Sequence, residues 1–185
     1  MGSGPDRLTL QVGAHLSADD GACLMELVAM AAGEQWGDSP ACTHPLLAHV
    51  ARRVNDAISD DGRRALTSLI PALVGAHAEG AWVYAAIAAA CTGTASERCP
   101  SSWLRALGSA ATARADAGDT RRRWLYVHGM AYRSVDLAVF CVSGLEQREA
   151  DEALRSMLEE AIVRVCADRS SWRSFGQRLT PLGVV

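Results

Sequence analysis

The sequence has 185 residues, of which 49% are hydrophobic and 21% are charged, and its net charge is −3. This length and balance are typical of one globular domain with a buried core, and they exclude a disordered chain. A slightly acidic chain has no overall attraction for phosphate backbones, so we do not expect a nucleic-acid partner.

The sequence shows no sign of a membrane segment or of an export signal. No window has the roughly 20 consecutive apolar residues that a transmembrane helix needs. The Gly/Ser-rich start lacks the apolar core of a signal peptide, and the six cysteines are widely spaced. We therefore expect a cytoplasmic protein with reduced thiols, no membrane contact and a flexible N-terminal arm at residues 1–7.

The N-terminal part predicts an extended arm, a helix and a loop. Residues 8–15 alternate weakly between apolar and polar, which favours a short extended segment. Ser17 followed by Asp20 resembles a capping box, which predicts that the first helix starts there. Gly33 suits the end of that helix. Residues 34–43 contain a glycine and a proline and are predicted to form a loop.

The next two helices are indicated by their first residues. Pro45 suits the first turn of a helix, with Thr43 or His44 as its cap. Ser59 is followed by two aspartates, which favour the N-terminus of a third helix. Pro71 is expected to bend or break that helix.

The remainder is also predicted to be helical. Residues 81–90 are almost wholly apolar and indicate a central buried helix. Residues 91–99 are predicted to be a loop, and Pro100 to open the next helix. A long helix is expected from 119 to 144, and a last one from 146 to 166. The predicted fold is all-α: a single domain, 1–185, built as an irregular or orthogonal bundle of about six helices.

Four residues, in the first predicted helix and in the loop that leads to the second, have the chemistry of a metal site. Cys23 and Glu26 are three residues apart and share one face of a helix. Cys42 and His44 are two positions apart and point to the same side of an extended loop. Thiolate and imidazole are ligands that zinc prefers, with a carboxylate as a further ligand. The four residues therefore form a candidate zinc site.

Two other interpretations of these residues remain open. In the first, Cys23 packs in the core, Cys42 is a packed loop thiol and His44 caps the second helix. This interpretation needs no ligand, and the spacing matches no standard zinc pattern. In the second, Cys42 is a nucleophile and His44 is its base, but sequence neighbours rarely have the geometry for attack.

A basic run lies in the second half of the chain. Residues 121–123 are all arginine, and Trp124, Tyr126 and His128 follow. Arginine with stacking aromatics is one arrangement that binds anions or nucleic acids. A solvated helix end accounts for the same residues and agrees better with the acidic total.

The block from Cys23 to Asp56 resembles the N-terminal block of a group of uncharacterised actinobacterial and actinophage proteins. The shared elements are Cys-Leu-Met-Glu at 23–26, Gly-Glu at 33–34, Asp38, Pro40 with Cys42, and Asn-Asp at 55–56. All 18 basic residues are arginine, which is typical of coding in a GC-rich genome and agrees with that source. The resemblance implies no activity.

The function expected from the sequence is that of a small cytoplasmic binding or accessory protein, acting on a protein or small-molecule ligand. We also expect a symmetric dimer packed through the C-terminal helices, because Trp103, Trp124 and the apolar run 137–142 supply more apolar surface than the chain can cover. The alternative is a metal- or thiol-dependent enzyme, of the kind found in secondary metabolism, with Glu26, Cys42 and His44 at its centre.

Overall fold

The structure is a computed structural model that describes residues 10–115 and 125–167. Its α-helices are α1 (Leu24–Ala31), α2 (Pro45–Ala57), α3 (Asp60–Leu66), α4 (Ile70–Leu73), α5 (Ala81–Arg98), α6 (Ser102–Ala115), α7 (Ala131–Ser143) and α8 (Gln147–Cys166). Short 3₁₀ turns occur at Ala18–Asp20 and Thr67–Leu69, and a π-helical turn at Tyr126–Met130 precedes α7. The predicted all-α fold is confirmed. The N-terminal arm at 1–7, the arginines at 121–123 and Trp124 lie outside the described residues.

Helix α5 forms the centre of the bundle. It packs against α6, α7 and α8, while α2 packs against α7 and α8, and α1 rests on α2 and α4. The residues that α5 buries are mostly alanine, which allows close approach of the surrounding helices. The prediction of a central buried helix at 81–90 is confirmed. None of the described helices is both long enough and apolar enough to cross a membrane.

Two sequence-based predictions of helix boundaries were wrong. The predicted loop at 91–99 is helical, because α5 continues to Arg98 and buries Cys91, Thr92 and Ala95. The Thr92 hydroxyl donates to the carbonyl of Ala88 at 2.8 Å, which satisfies that buried polar group inside the helix.

The first helix begins later than its capping box predicted. Ser17 and Asp20 do bond to each other, at 2.8 Å, but Ser17 precedes the 3₁₀ turn Ala18–Asp20 and Asp20 is the last residue of that turn. Gly21, with φ of 120°, then breaks the helical path, and α1 starts at Leu24 with Cys23 as its N-cap.

Residues 10–17, called the strap below, run across the N-terminal end of α1. Leu10 forms a single parallel β-bridge with Ala22, and the Gln11 amide donates to the Ala22 carbonyl at 2.8 Å. Of the predicted extended arm at 8–15, the described residues 10–15 contain this bridge and no longer strand. The Asn55 side chain holds the strap against the start of α1. Its Nδ2 donates to the Gln11 carbonyl at 2.7 Å, and its Oδ1 accepts from the Leu24 amide at 3.3 Å.

Candidate functional site

Glu26 is fully buried and ties the strap to the start of α1. Its carboxylate accepts hydrogen bonds from the Cys23 amide at 2.7 Å, from the His15 amide at 2.5 Å and from His15 Nδ1 at 2.9 Å. Burial opposes the carboxylate charge, but the bonds from His15 and Cys23 outweigh it and hold the pKa of Glu26 below its usual value. Glu26 is therefore an anionic cap with its acceptor sites occupied.

Cys23, the neighbour of Glu26 in the predicted zinc site, is a buried thiol. Its sulfur accepts from the Glu26 backbone amide, which completes a reciprocal capping box with the Glu26 side chain. Burial raises the pKa of Cys23 to about 11, and the Glu26 carboxylate opposes the thiolate further. The thiol is protonated at neutral pH and packs in the core.

Cys42 and His44 make contacts of a different kind. The Cys42 amide donates to Glu34 at 2.8 Å, and the Cys42 sulfur lies 3.7 Å from the Thr43 hydroxyl. His44 Nδ1 accepts from the Leu46 amide at 3.3 Å, so His44 is the N-cap of α2. Burial, with a smaller effect from nearby His77, lowers the pKa of His44 to about 4. The ring is neutral at pH 7, as its role as an acceptor requires.

Of the four predicted zinc ligands, Cys23 and Glu26 contact each other, whereas Cys42 and His44 bond to other residues. Within 10–115 and 125–167, no three His, Cys, Asp or Glu side chains are grouped so that they could hold a metal ion. The predicted cap role of His44 and the predicted core position of Cys23 are confirmed.

A small cleft lies over Cys23, between the strap and α2. It encloses about 50 Å³ and is lined by six residues: Gly13, Ala14, Cys23, Asp38, Arg52 and Asp56. Arg52 Nη1 donates to the Asp38 carbonyl at 2.6 Å. Since one water molecule needs roughly 10–15 Å³ of such volume, this cleft holds only a few waters.

The polar residues of the block from Cys23 to Asp56 mostly bond to one another or to the strap. Glu34 accepts from the Ala41 and Cys42 amides at 2.6 and 2.8 Å. Asp56 accepts from the Gly13 amide at 3.0 Å. Together with Glu26 and Asn55, these side chains pair with backbone amides and carbonyls of the loops and the strap, which gives the block a structural role.

A row of aromatic rings joins α2, α5 and α7. The His44 ring meets Tyr84 edge-on at 4.5 Å between centroids, Tyr84 and Tyr132 lie 6.4 Å apart, and Tyr132 meets His49 edge-on at 5.0 Å. At the end of the row, His49 Nε2 lies 2.9 Å from Asp136 Oδ1. Sequence reasoning missed this row, because contacting members such as His49 and Asp136 are 87 residues apart along the chain.

The outer face of α7 carries an exposed apolar stripe. Phe140 is 75% exposed, Leu137 is 41% exposed and Met130, just before α7, is 37% exposed. Their spacing of seven and then three residues places them on one side of the helix. Ala138, Val139 and Val142 face inward and are buried. The bundle therefore covers only part of the apolar run 137–142. Trp103, on α6, is partly exposed as well.

Comparison of the chain with protein-family models, with curated proteins and with solved structures finds no match.

Proposed function

We propose that this protein is a small helical binding protein that pairs with a second copy of itself through the outer face of α7. The observation that carries the proposal is the exposure of Phe140, a large apolar ring on a helix whose opposite face is packed against α5 and α8. Large apolar side chains grouped on one exposed face, with polar residues around them, are typical of protein-binding surfaces.

The charges around the stripe favour a second copy as the partner. Exposed Arg133 lies between Met130 and Leu137 on the stripe, and the edge carries the ion pair between Arg53 Nε and Asp136 Oδ1, at 3.0 Å. A rim with both signs of charge is self-complementary, as a two-fold interface requires.

The pairing that we propose is antiparallel, about a two-fold axis near Leu137. In that arrangement Arg133 of each copy approaches Phe140 of the other. A guanidinium over an aromatic face contributes roughly 0.5–2 kcal/mol, depending on how far it is desolvated.

A binding role is also favoured over the alternative of an enzyme centred on Glu26, Cys42 and His44. Glu26 and His44 serve as helix caps, and the cleft over Cys23 is far smaller than the roughly 300 Å³ of an ordinary ligand site. A cytoplasmic location remains our proposal, supported by six cysteines that are all free thiols.

Light scattering on two matched variants tests the pairing. Phe140→Asp places a charge at the centre of the stripe, whereas Leu16→Asp places one on the strap, at a side chain that is 96% exposed. We expect the wild type and Leu16→Asp to show twice the chain mass at micromolar concentration, and Phe140→Asp to be a monomer. Both substituted side chains are largely exposed, so the folded monomer should change in stability by no more than about 0.5 kcal/mol. A monomeric wild type, or a dimeric Phe140→Asp, would overturn the proposal.

A further inference from the structure

Two cysteines from distant parts of the sequence meet at one end of the bundle. Cys99 is the C-cap of α5, and Cys141 lies in the last turn of α7. The Cys99 thiol donates to the backbone carbonyl of Cys141 at 3.4 Å, and both residues are partly exposed. The two thiols also interact electrostatically, so they are neighbours in space although 42 residues separate them along the chain.

We propose that Cys99 and Cys141 form a reversible intramolecular disulfide by exchange with a small-molecule disulfide. This inference is independent of the proposed self-association. Both cysteines are held near each other by two helices that pack together, so the proposed bond joins elements that are already in contact. In a reducing compartment such a bond is transient and serves redox response rather than permanent stabilisation.

The exchange proceeds in two steps. The Cys99 thiol loses its proton to solvent, and its thiolate attacks one sulfur of the small disulfide and displaces one small thiolate. The Cys141 thiolate then attacks the Cys99 sulfur of this mixed disulfide and displaces the second small thiolate. Two protein thiols are oxidised to one disulfide, and one small disulfide is reduced to two thiols.

The surroundings distinguish this pair from the other four cysteines. Cys23 and Cys91 are buried, which keeps small reagents away from them. Cys42 contacts a threonine hydroxyl, and Cys166 is exposed at the end of α8. Burial raises the pKa of Cys99, and Cys141 and Glu149 raise it further, so the exchange should be faster in alkaline than in neutral solution.

Peptide mapping of the full chain tests the proposal. The reduced protein is incubated with oxidised glutathione at mildly alkaline pH, the remaining thiols are alkylated, and the protein is digested with trypsin. The expected product is peptide 99–105 joined to peptide 134–148, with the loss of two hydrogen atoms in mass. It should form equally in Cys42→Ser and Cys166→Ser.

Two further variants identify the order of attack. In Cys141→Ser, glutathione should remain attached to Cys99, because no resolving thiol is present. In Cys99→Ser, the joined peptide should be absent. Alkylation of both cysteines in the wild type would overturn the proposal, as would a link that appears only between chains on a non-reducing gel. Peptide mapping of the wild type shows whether the disulfide between Cys99 and Cys141 forms, even when a serine variant does not fold.

Discussion

Asp136 of α7 accepts a hydrogen bond from Nε2 of His49 on α2, at 2.9 Å, and joins two helices that are far apart in the sequence. Arg53, one turn further along α2, bonds to the same carboxylate oxygen at 3.0 Å. The α7 helix is thereby fixed to α2 beside its exposed stripe, which orients Leu137 and Phe140 away from the bundle.

The Asp136 carboxylate should control the protonation of His49. Burial lowers the pKa of His49, and Asp136 partly offsets this by favouring the charged ring. Asp136→Asn should therefore lower the pKa of His49 further, as measured by NMR titration of the ring protons. Asp61→Asn, which removes a carboxylate that pairs with exposed Arg64 instead, is the control and should leave that titration unchanged. An unchanged His49 pKa in Asp136→Asn would contradict the contact.

The neutral cap at His44 should make the protein sensitive to acid. Its pKa is about 4 in the folded chain, against an ordinary value of 6.5. The unfolded chain therefore takes up a proton first, and stability falls as the pH drops from about 6.5 to about 4, by roughly 3 kcal/mol for this residue.

Urea denaturation at several pH values measures this effect. His44→Asn keeps a side-chain acceptor at the cap but does not titrate, so its stability should fall less steeply over the same range. At pH 7 His44→Asn should be the less stable protein, because it loses the buried ring that meets Tyr84, so the slopes with pH are compared rather than the absolute stabilities. Parallel curves for the wild type and His44→Asn would show that His44 is not the responsible group.

Glu26 should be required for stability because it ties the strap to the start of α1. Glu26→Gln keeps the shape of the side chain but loses the charge that the His15 and Cys23 amides bond to. A buried donor that loses its partner costs about 1–3 kcal/mol, and we expect a loss of that order in urea denaturation. Glu152→Gln, which alters an exposed ion pair with Arg148, should change stability by less than about 0.5 kcal/mol. Equal effects of the two substitutions would contradict the role of Glu26.

The same substitution should alter Cys23. The Glu26 carboxylate contributes to the raised pKa of that thiol, so Glu26→Gln should lower the pKa of Cys23. The chemical shift of the Cys23 β-carbon as a function of pH, followed by NMR, measures this change without a reagent that must reach the buried sulfur. A titration curve that does not move would mean that the Glu26 charge does not contribute to the pKa of Cys23.

The sequence predicts the helix cap at His44 correctly but not the extent of α5. The cap at His44 could be predicted because Pro45 marks a first helical turn, and that signal is local. The loop predicted at 91–99 was wrong because the turn-forming residues Thr92 and Gly93 lie in a helix that packing with α6 and α8 stabilises. Local propensity is a weak guide where tertiary contacts dominate.

The exposed stripe could be predicted only in outline. The run 137–142 is apolar throughout, so its sequence does not reveal which positions face the core. Packing of α7 on α5 decides that Val139 and Val142 point inward and that Phe140 points outward. The contact between His49 and Asp136 is non-local and has no sequence signal at all.

Arg133 should contribute to the pairing of two α7 helices without contributing to the fold of either. Arg133→Ala removes a side chain that is exposed in the single chain. Adding this substitution to the monomeric Phe140→Asp variant should therefore leave the stability measured by urea denaturation unchanged. In the wild-type background it should weaken the dimer by roughly three- to thirty-fold, if the guanidinium lies over the partner's aromatic ring. An unchanged dimer affinity would exclude the antiparallel arrangement.

Sedimentation equilibrium of the wild-type protein over a wide dilution series tests the central claim most directly. An interface closed by a two-fold axis predicts an average mass that rises from one chain mass to two with increasing concentration and then stays constant. A mass that stays at one chain throughout the series would contradict self-association through α7. A mass that continues to grow beyond two chains would contradict a closed pair.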